Sequence, residues 1–301
     1  MSYPEPLIIL FTIFAGLFGI VVGSFLNVCV HRLPKGYLSI VSPGSHCIEC
    51  GTFLKWYENI PLLSWFFLGG ACRYCRVRIS IRYLFIEAFT GMLFLLYTKY
   101  IVLTPLDSFA SFPIVERWAI LFVTLYLSCI MIIITFIDLK YRIIPDCITY
   151  SGIIIAPFFA IFFPHFHRTL YFGNAYLSYF CSSLFGIFVG GGALYLVGLI
   201  GKFFFKKEAM GLGDVKLMAC VGGWIGWDAA LLIFIMACFI GTLIGIISFI
   251  VTKDHFIPFG PSLAIGTLLV LIWKSEICYF LFTQWPIVLA KIIGLSNYPA
   301  L

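Results

Sequence analysis

Apolar runs of about twenty residues, each long enough to cross a hydrocarbon core of about 30 Å as a helix, follow one another along nearly the whole chain. A backbone in lipid has no water to bond, so such runs are expected to fold as a bundle of helices. The runs lie at 7–31, 82–103, 117–137, 147–164, 180–201, 216–227, 229–251 and 262–293. They predict an all-α polytopic membrane protein of about eight transmembrane helices. Gly222, Gly223 and Gly226 mark either a bend in one long helix or a turn between two. With 62% of residues apolar and 11% charged, against roughly 45–50% and 25% in soluble domains, the composition excludes a soluble globular chain. No basic residue precedes the first run and no small-residue cleavage site follows it, so it reads as a retained span rather than a signal peptide.

The net charge of +6 does not call for nucleic acid, because Lys and Arg gather in particular loops and report orientation instead. Arg32, Lys35, Lys55, Arg73, Arg76, Arg78 and Arg82 fall in or beside one loop, Lys140 and Arg142 in a second, and Lys202, Lys206, Lys207 and Lys216 in a third. The alternate loops hold only Lys99 with Arg117, and Arg168. The basic loops are therefore expected to be cytoplasmic and the N-terminus outside.

In the first basic loop, Cys47-x2-Cys50 is followed after 21 residues by Cys72-x2-Cys75, a spacing that suits tetrahedral thiolate coordination of one structural zinc ion. A polar loop of this size has little apolar mass to hold it, and a metal supplies what the core lacks. A disulfide pair and redox CxxC chemistry are the competing readings. The other cysteines, such as Cys129, Cys181 and Cys238, sit in apolar runs and read as core residues.

Charged groups within or bordering a span are costly unless paired or hydrated, which makes each a functional candidate. Asp138 ends an apolar run, Asp146 follows Pro145 at the start of the next, and Asp214 sits in Gly211-Leu212-Gly213-Asp214-Val215-Lys216, where two glycines leave room for another chain to approach. Two facing carboxylates can share one proton, so that one acts as base on a water and the other as acid toward the leaving amine. Capping a helix, or pairing with Lys140 or Lys216, is the plainer reading of each aspartate, and Asp146 reads first as a helix N-cap. Glu49, Glu58, Glu87 and Glu208 are the remaining acids considered, and Glu49 and Glu208 read as ordinary partners of nearby basic residues. Glu87 lies a turn inside a span and must be hydrated or paired there.

At these residues the chain resembles the bacterial type IV prepilin peptidases, bifunctional leader peptidase and N-methyltransferase enzymes of pilus and type II secretion systems. The resemblance runs through Gly23-Ser24-Phe25-Leu26-Asn27-Val28, His31-Arg32-Leu33-Pro34, the paired CxxC knuckles and Glu58-Asn59-Ile60-Pro61. It continues through Arg82-Tyr83, Glu87, Thr90-Gly91, Ile137-Asp138, Pro145-Asp146, Gly211-x-Gly213-Asp214-x-Lys216 and Ile257-Pro258-Phe259-Gly260-Pro261. It implies a GxGD-type aspartyl protease with eight membrane helices, whose catalytic pair maps onto Asp138 and Asp214. It also implies a prepilin or pseudopilin substrate with a short basic leader, and methylation of the new N-terminus with S-adenosylmethionine. The division expected is a first transmembrane helix at 1–31, a cytoplasmic tetracysteine zinc loop associated with methyl transfer at 32–81, and a multi-helix peptidase domain at 82–301. Glu87, Asp146 and Lys216 are candidates for the substrate or methyl-donor pocket. The enzyme would sit in the bacterial inner membrane, among lipid, with its active site at the cytoplasmic face.

Two departures touch the loop. Many members carry Arg before the third cysteine and Gly after the fourth, where this chain has Gly69-Gly70-Ala71 and Arg76. The rival reading is a membrane thiol oxidoreductase that uses the CxxC pairs and gives Asp138 and Asp214 no role. A transporter is a third, and the lack of evident internal repeats counts against it.

Overall fold

A computed structural model describes residues 4–36, 39–163, 167, 174–206, 210–252 and 258–285. Arg168, Lys207, Glu208, Ile257 and the 286–293 end of the last expected run lie outside these residues. The described chain is helical: α1 (Glu5–Arg32), α2 (Leu63–Phe67), α3 (Ile81–Tyr97), α4 (Asp107–Ala110), α5 (Ile114–Tyr141), α6 (Asp146–Phe162), α7 (Ala175–Phe205), α8 (Leu212–Ile225), α9 (Trp227–Thr252) and α10 (Gly260–Tyr279). Two isolated antiparallel bridges, His46 with Phe53 and Ala71 with Arg78, lie in the loop after α1.

Among the described residues, six helical stretches are long and apolar enough to cross a membrane: α1, α3 with its π-helical extension to Leu103, α5, α7, α9, and α10 with its extension to Gln284. The other two expected spans are shorter. α6 has 17 residues and α8 has 14, so α8 is about 21 Å long at about 1.5 Å per residue. The ambiguous glycine run is a turn between two helices: α8 ends at Ile225, Gly226 takes φ 88°, and α9 begins at Trp227. α5 runs past the expected end at 137 to Tyr141, where Arg142 in the left-handed region donates its N–H to the Asp138 carbonyl. Asp138 is therefore inside the helix rather than at its end.

The contacts divide the chain into two units, Met1–Pro145 and Asp146–Leu301. In the first, α1 packs closely on α3. A Cβ on Gly23 would come within 2.7 Å of the Glu87 Cα, so only hydrogen fits there. Val30, Ile86, Leu127, Met131, Ile134 and Ile137 are fully buried around this contact and α5. In the second unit, α8 is packed by α6, α7 and α9. Gly186 of α7 faces Gly222 of α8, each backbone filling the space that a Cβ on the other would need, and the Ser183 hydroxyl donates to the Gly223 carbonyl at 2.7 Å. Small residues at a crossing let membrane helices approach and collect dispersion energy where no hydrophobic gain between helices exists. Large apolar side chains such as Phe14, Phe188 and Phe203 remain exposed, which suits contact with lipid and accounts for much of the phenylalanine content.

Gly222→Val is expected to destabilise the protein by at least about 1–3 kcal/mol through overpacking against α7. Thermal unfolding in detergent reads this out, and Gly192→Ala, whose Cβ would meet nothing within 4 Å, leaves the midpoint undiminished.

Candidate active site and metal loop

The four cysteines of the loop are brought together by two knuckles with one backbone pattern. In the first, the Cys47 N–H donates to the Thr52 carbonyl and the Gly51 N–H to the Cys47 carbonyl, both at 2.9 Å. In the second, Cys72 donates to Val77 at 2.9 Å and Arg76 to Cys72 at 3.0 Å. Gly51 with φ 69° and Arg76 with φ 59° turn the chain at corresponding positions. All four Sγ atoms lie within 4.8 Å of one another, with Cys47 and Cys75 at 3.7 Å. A tetrahedral thiolate site with metal–sulfur bonds of about 2.3 Å needs sulfur separations of about 3.8 Å. The cluster can therefore hold a metal ion with small adjustments. Convergence of both CxxC pairs on one point is the arrangement of a ligand set, and it favours metal over the redox reading.

Crowding shows in the thiols themselves. The side-chain contact with Thr52 pulls Cys50 down to about 6. The Val77 amide also favours the Cys75 thiolate, yet burial and the neighbouring Cys72, Cys47 and Cys50 sulfurs push Cys75 up to about 12. Four sulfurs this close cannot all ionise without a cation among them.

The loop is tied to the helices at several points. Arg32, buried at the end of α1, gives its guanidinium to the carbonyls of Ser39 at 2.9 Å, Ile40 at 3.3 Å, Pro43 at 2.6 Å and Gly44 at 3.4 Å. Glu58 is buried, accepts the Lys55 N–H at 3.0 Å and pairs with Arg73 at 3.4 Å. Glu87, buried in α3, accepts the Leu62 N–H at 2.8 Å. The pairing that its position demanded is thus a backbone amide of the loop, held where Leu62 takes φ 61°. Glu49 is exposed in the first knuckle. Arg32 entered the sequence reading only as a topological charge and a motif residue, and local sequence carries no signal of its four carbonyl partners.

Asp138 is buried in α5, within the first unit. Asp214 lies in the second unit, in the first turn of α8, with its N–H bonded to the Gly211 carbonyl at 3.2 Å. Its carboxylate turns back toward the N-cap, where a Cβ at Gly211 would lie 3.4 Å from Oδ2. The positive end of the helix dipole favours a carboxylate there. Lys216 pairs with Asp146 at 2.8 Å and lies 4.9 Å from the centre of the Tyr150 ring, so the start of α8 is tied to the start of α6. Asp146 is the first residue of α6. Tyr150 was not singled out from sequence; only its placement one turn after Asp146 offered a signal.

The family model described as the bacterial peptidase A24 N-terminal domain matches residues 17–101, and that of the type IV leader peptidase family matches residues 125–246. The chain is 31% identical over 297 residues to the prepilin leader peptidase/N-methyltransferase of Aeromonas salmonicida, covering 89% of this chain and 91% of the relative. The chain belongs to the type IV leader peptidase family. The Pseudomonas aeruginosa member of the same name is 30% identical over 289 residues, covering 87% and 90%. The Myxococcus xanthus member is 35% identical over 246 residues, covering 81% of this chain, which spans 64% of that relative's length. No solved structure is similar to the chain.

As a type IV leader peptidase family member the protein is a multi-pass membrane protein, and its departures can be weighed on the structure. Arg76 sits where Gly51 sits in the other knuckle, in a backbone region that costs a side chain about 1–2 kcal/mol. Arg76→Gly is expected to stabilise the loaded loop by about 1 kcal/mol, seen as slower loss of metal to a chelator. Metal must displace protons from the thiols, so retention is greatest at alkaline pH and falls as pH drops; release at pH 5.5 should outpace release at pH 8.

Proposed function

We propose that this protein removes the basic leader of a prepilin or type II secretion pseudopilin at the cytoplasmic face of the bacterial inner membrane, and methylates the new N-terminus. The observation that carries the reading is similarity over about nine-tenths of the length of relatives named for both activities. The N-terminus lies outside on this reading, because Lys and Arg concentrate in the loops that would face the cytoplasm.

Asp138 and Asp214 form the catalytic pair. One carboxylate takes a proton from water as its oxygen attacks the scissile carbonyl carbon; the other, protonated, polarises that carbonyl and returns a proton to the nitrogen as the C–N bond breaks. The shared proton belongs to the pair rather than to either aspartate. The loop of residues 32–81 is the methylation-associated part and 82–301 the peptidase part. Zinc on Cys47, Cys50, Cys72 and Cys75 holds the loop, since four soft thiolates with tetrahedral spacing suit it. On this reading Glu87, Asp146 and Lys216 belong to the substrate or methyl-donor pocket. S-adenosylmethionine would supply the methyl group.

Cleavage of a purified prepilin by reconstituted protein tests the pair. Asp138→Asn and Asp214→Asn should each lower the rate about 10²–10⁴-fold while methylation of pre-cleaved substrate survives. Full cleavage by either folded variant removes that aspartate from the mechanism. Cys72→Ser should release the metal, and loss of methylation with cleavage spared assigns the loop to the second reaction.

A further inference from the structure

We propose that α1, α3 and α5 form a binding site for the phosphate of an anionic phospholipid, built by His31, Lys35, Arg82 and Lys140. The site does not rest on the peptidase reading.

His31 and Lys35 lie one turn apart where the first span ends, with Lys35 Nζ 3.2 Å from His31 Nε2. Asn27, one turn before His31, donates to the carbonyl of Tyr83, the residue after Arg82, at 3.1 Å, and α5 packs against both α1 and α3, so the ends of three helical spans converge on one cationic point. Arg32 is committed to the four loop carbonyls, whereas Arg82 Nε is buried without a hydrogen-bond partner among the described residues. The nearby glutamates are engaged elsewhere, Glu87 by the Leu62 amide and Glu58 by Arg73. Asp138 is two residues before Lys140 and faces the other way on α5, buried where Lys140 is exposed. Basic groups held this close repel one another, and a shared anion removes the penalty.

What lies beneath the cations selects a lipid over a free ion. Phe85 shares a helix face with Arg82 at a spacing of three residues, and Phe136 shares one with Lys140 at four. The Phe85 ring packs edge-on against Phe136 at 6.2 Å and stacks on Phe89 at 5.7 Å, joining α3 to α5 by an aromatic wall. Exposed Ile81, Phe85 and Leu139 continue it. A cationic rim over an apolar wall at the end of a span matches a phosphate joined to acyl chains, and basic pockets between membrane helices hold such headgroups.

The test is native mass spectrometry of the intact, delipidated protein with phosphatidylglycerol or phosphatidylcholine of identical acyl chains. Wild type should retain phosphatidylglycerol selectively. Each charge removed should weaken retention about fivefold, so Lys140→Gln loses about fivefold and Arg82→Gln with Lys35→Gln about 25-fold, while Lys99→Gln at the far end of the α3 span changes nothing. Unchanged metal content confirms that the loop of each variant is folded. Should the double variant not fold, the wild-type thermal midpoint must rise with phosphatidylglycerol and not with phosphatidylcholine. Equal retention of the two lipids, undiminished retention in the variants, or displacement by orthophosphate at the lipid's own concentration would overturn the proposal.

Discussion

Hydrocarbon offers a polar group no water, and the fold is organised by that constraint. Many of its charged and polar side chains sit at helix ends or are engaged by a named partner. Trp224, buried in α8, donates its ring N–H to the Gly152 carbonyl of α6 at 3.1 Å, and Ser183 does the same from α7 to α8. Such contacts are possible only because glycines bring the helix backbones within reach. The short α8 is consequently the centre of its unit: neighbouring helices fix its axis, and its first turn carries Asp214 at the end where backbone N–H groups and the helix dipole favour negative charge.

Much of this was legible in the sequence, for identifiable reasons. Hydropathy reports desolvation directly, so the apolar runs and the polar loop stand out, and CxxC spacing reports a knuckle because the turn that aims two thiols at one point has a fixed length. α8 begins at Leu212, ahead of the apolar run expected from 216, because its first turn is polar and hydropathy does not register it. What escaped depends on long-range geometry. Nothing local says that Gly226 rather than Gly222 or Gly223 breaks the helix, since all three are equally free in backbone. The 70-residue separation of Lys216 and Asp146, and the amide of Leu62 that satisfies Glu87, likewise leave no periodic trace.

The acidic residues also separate into kinds that sequence alone could not sort. Glu58 and Glu87 are buried and spent on the loop, holding Lys55, Arg73 and Leu62. Asp146 is largely exposed and its pair with Lys216 is worth little by itself, at most about 1 kcal/mol. That pair is better understood as setting register between two helix starts than as a source of stability. Asp138, by contrast, is buried in a transmembrane helix whose neighbouring positions are aliphatic. A carboxylate in that setting is costly unless it is paired or hydrated, which is what makes it a functional candidate.

The tetracysteine loop follows the opposite logic from the helices. It has few buried apolar side chains, so its order comes from points of attachment: Arg32 gathers four carbonyls at its entry, Glu87 catches Leu62 midway, and the cysteines close its tip. The first two attachments are built from membrane helices and exist whether or not a metal is held. Metal binding therefore has only the two knuckles left to organise, which lowers the conformational entropy it must overcome relative to a free zinc finger. A loop ordered in this way can carry a strained residue such as Arg76 at one knuckle without losing the site, because the strain falls on an element that the membrane helices already hold in place.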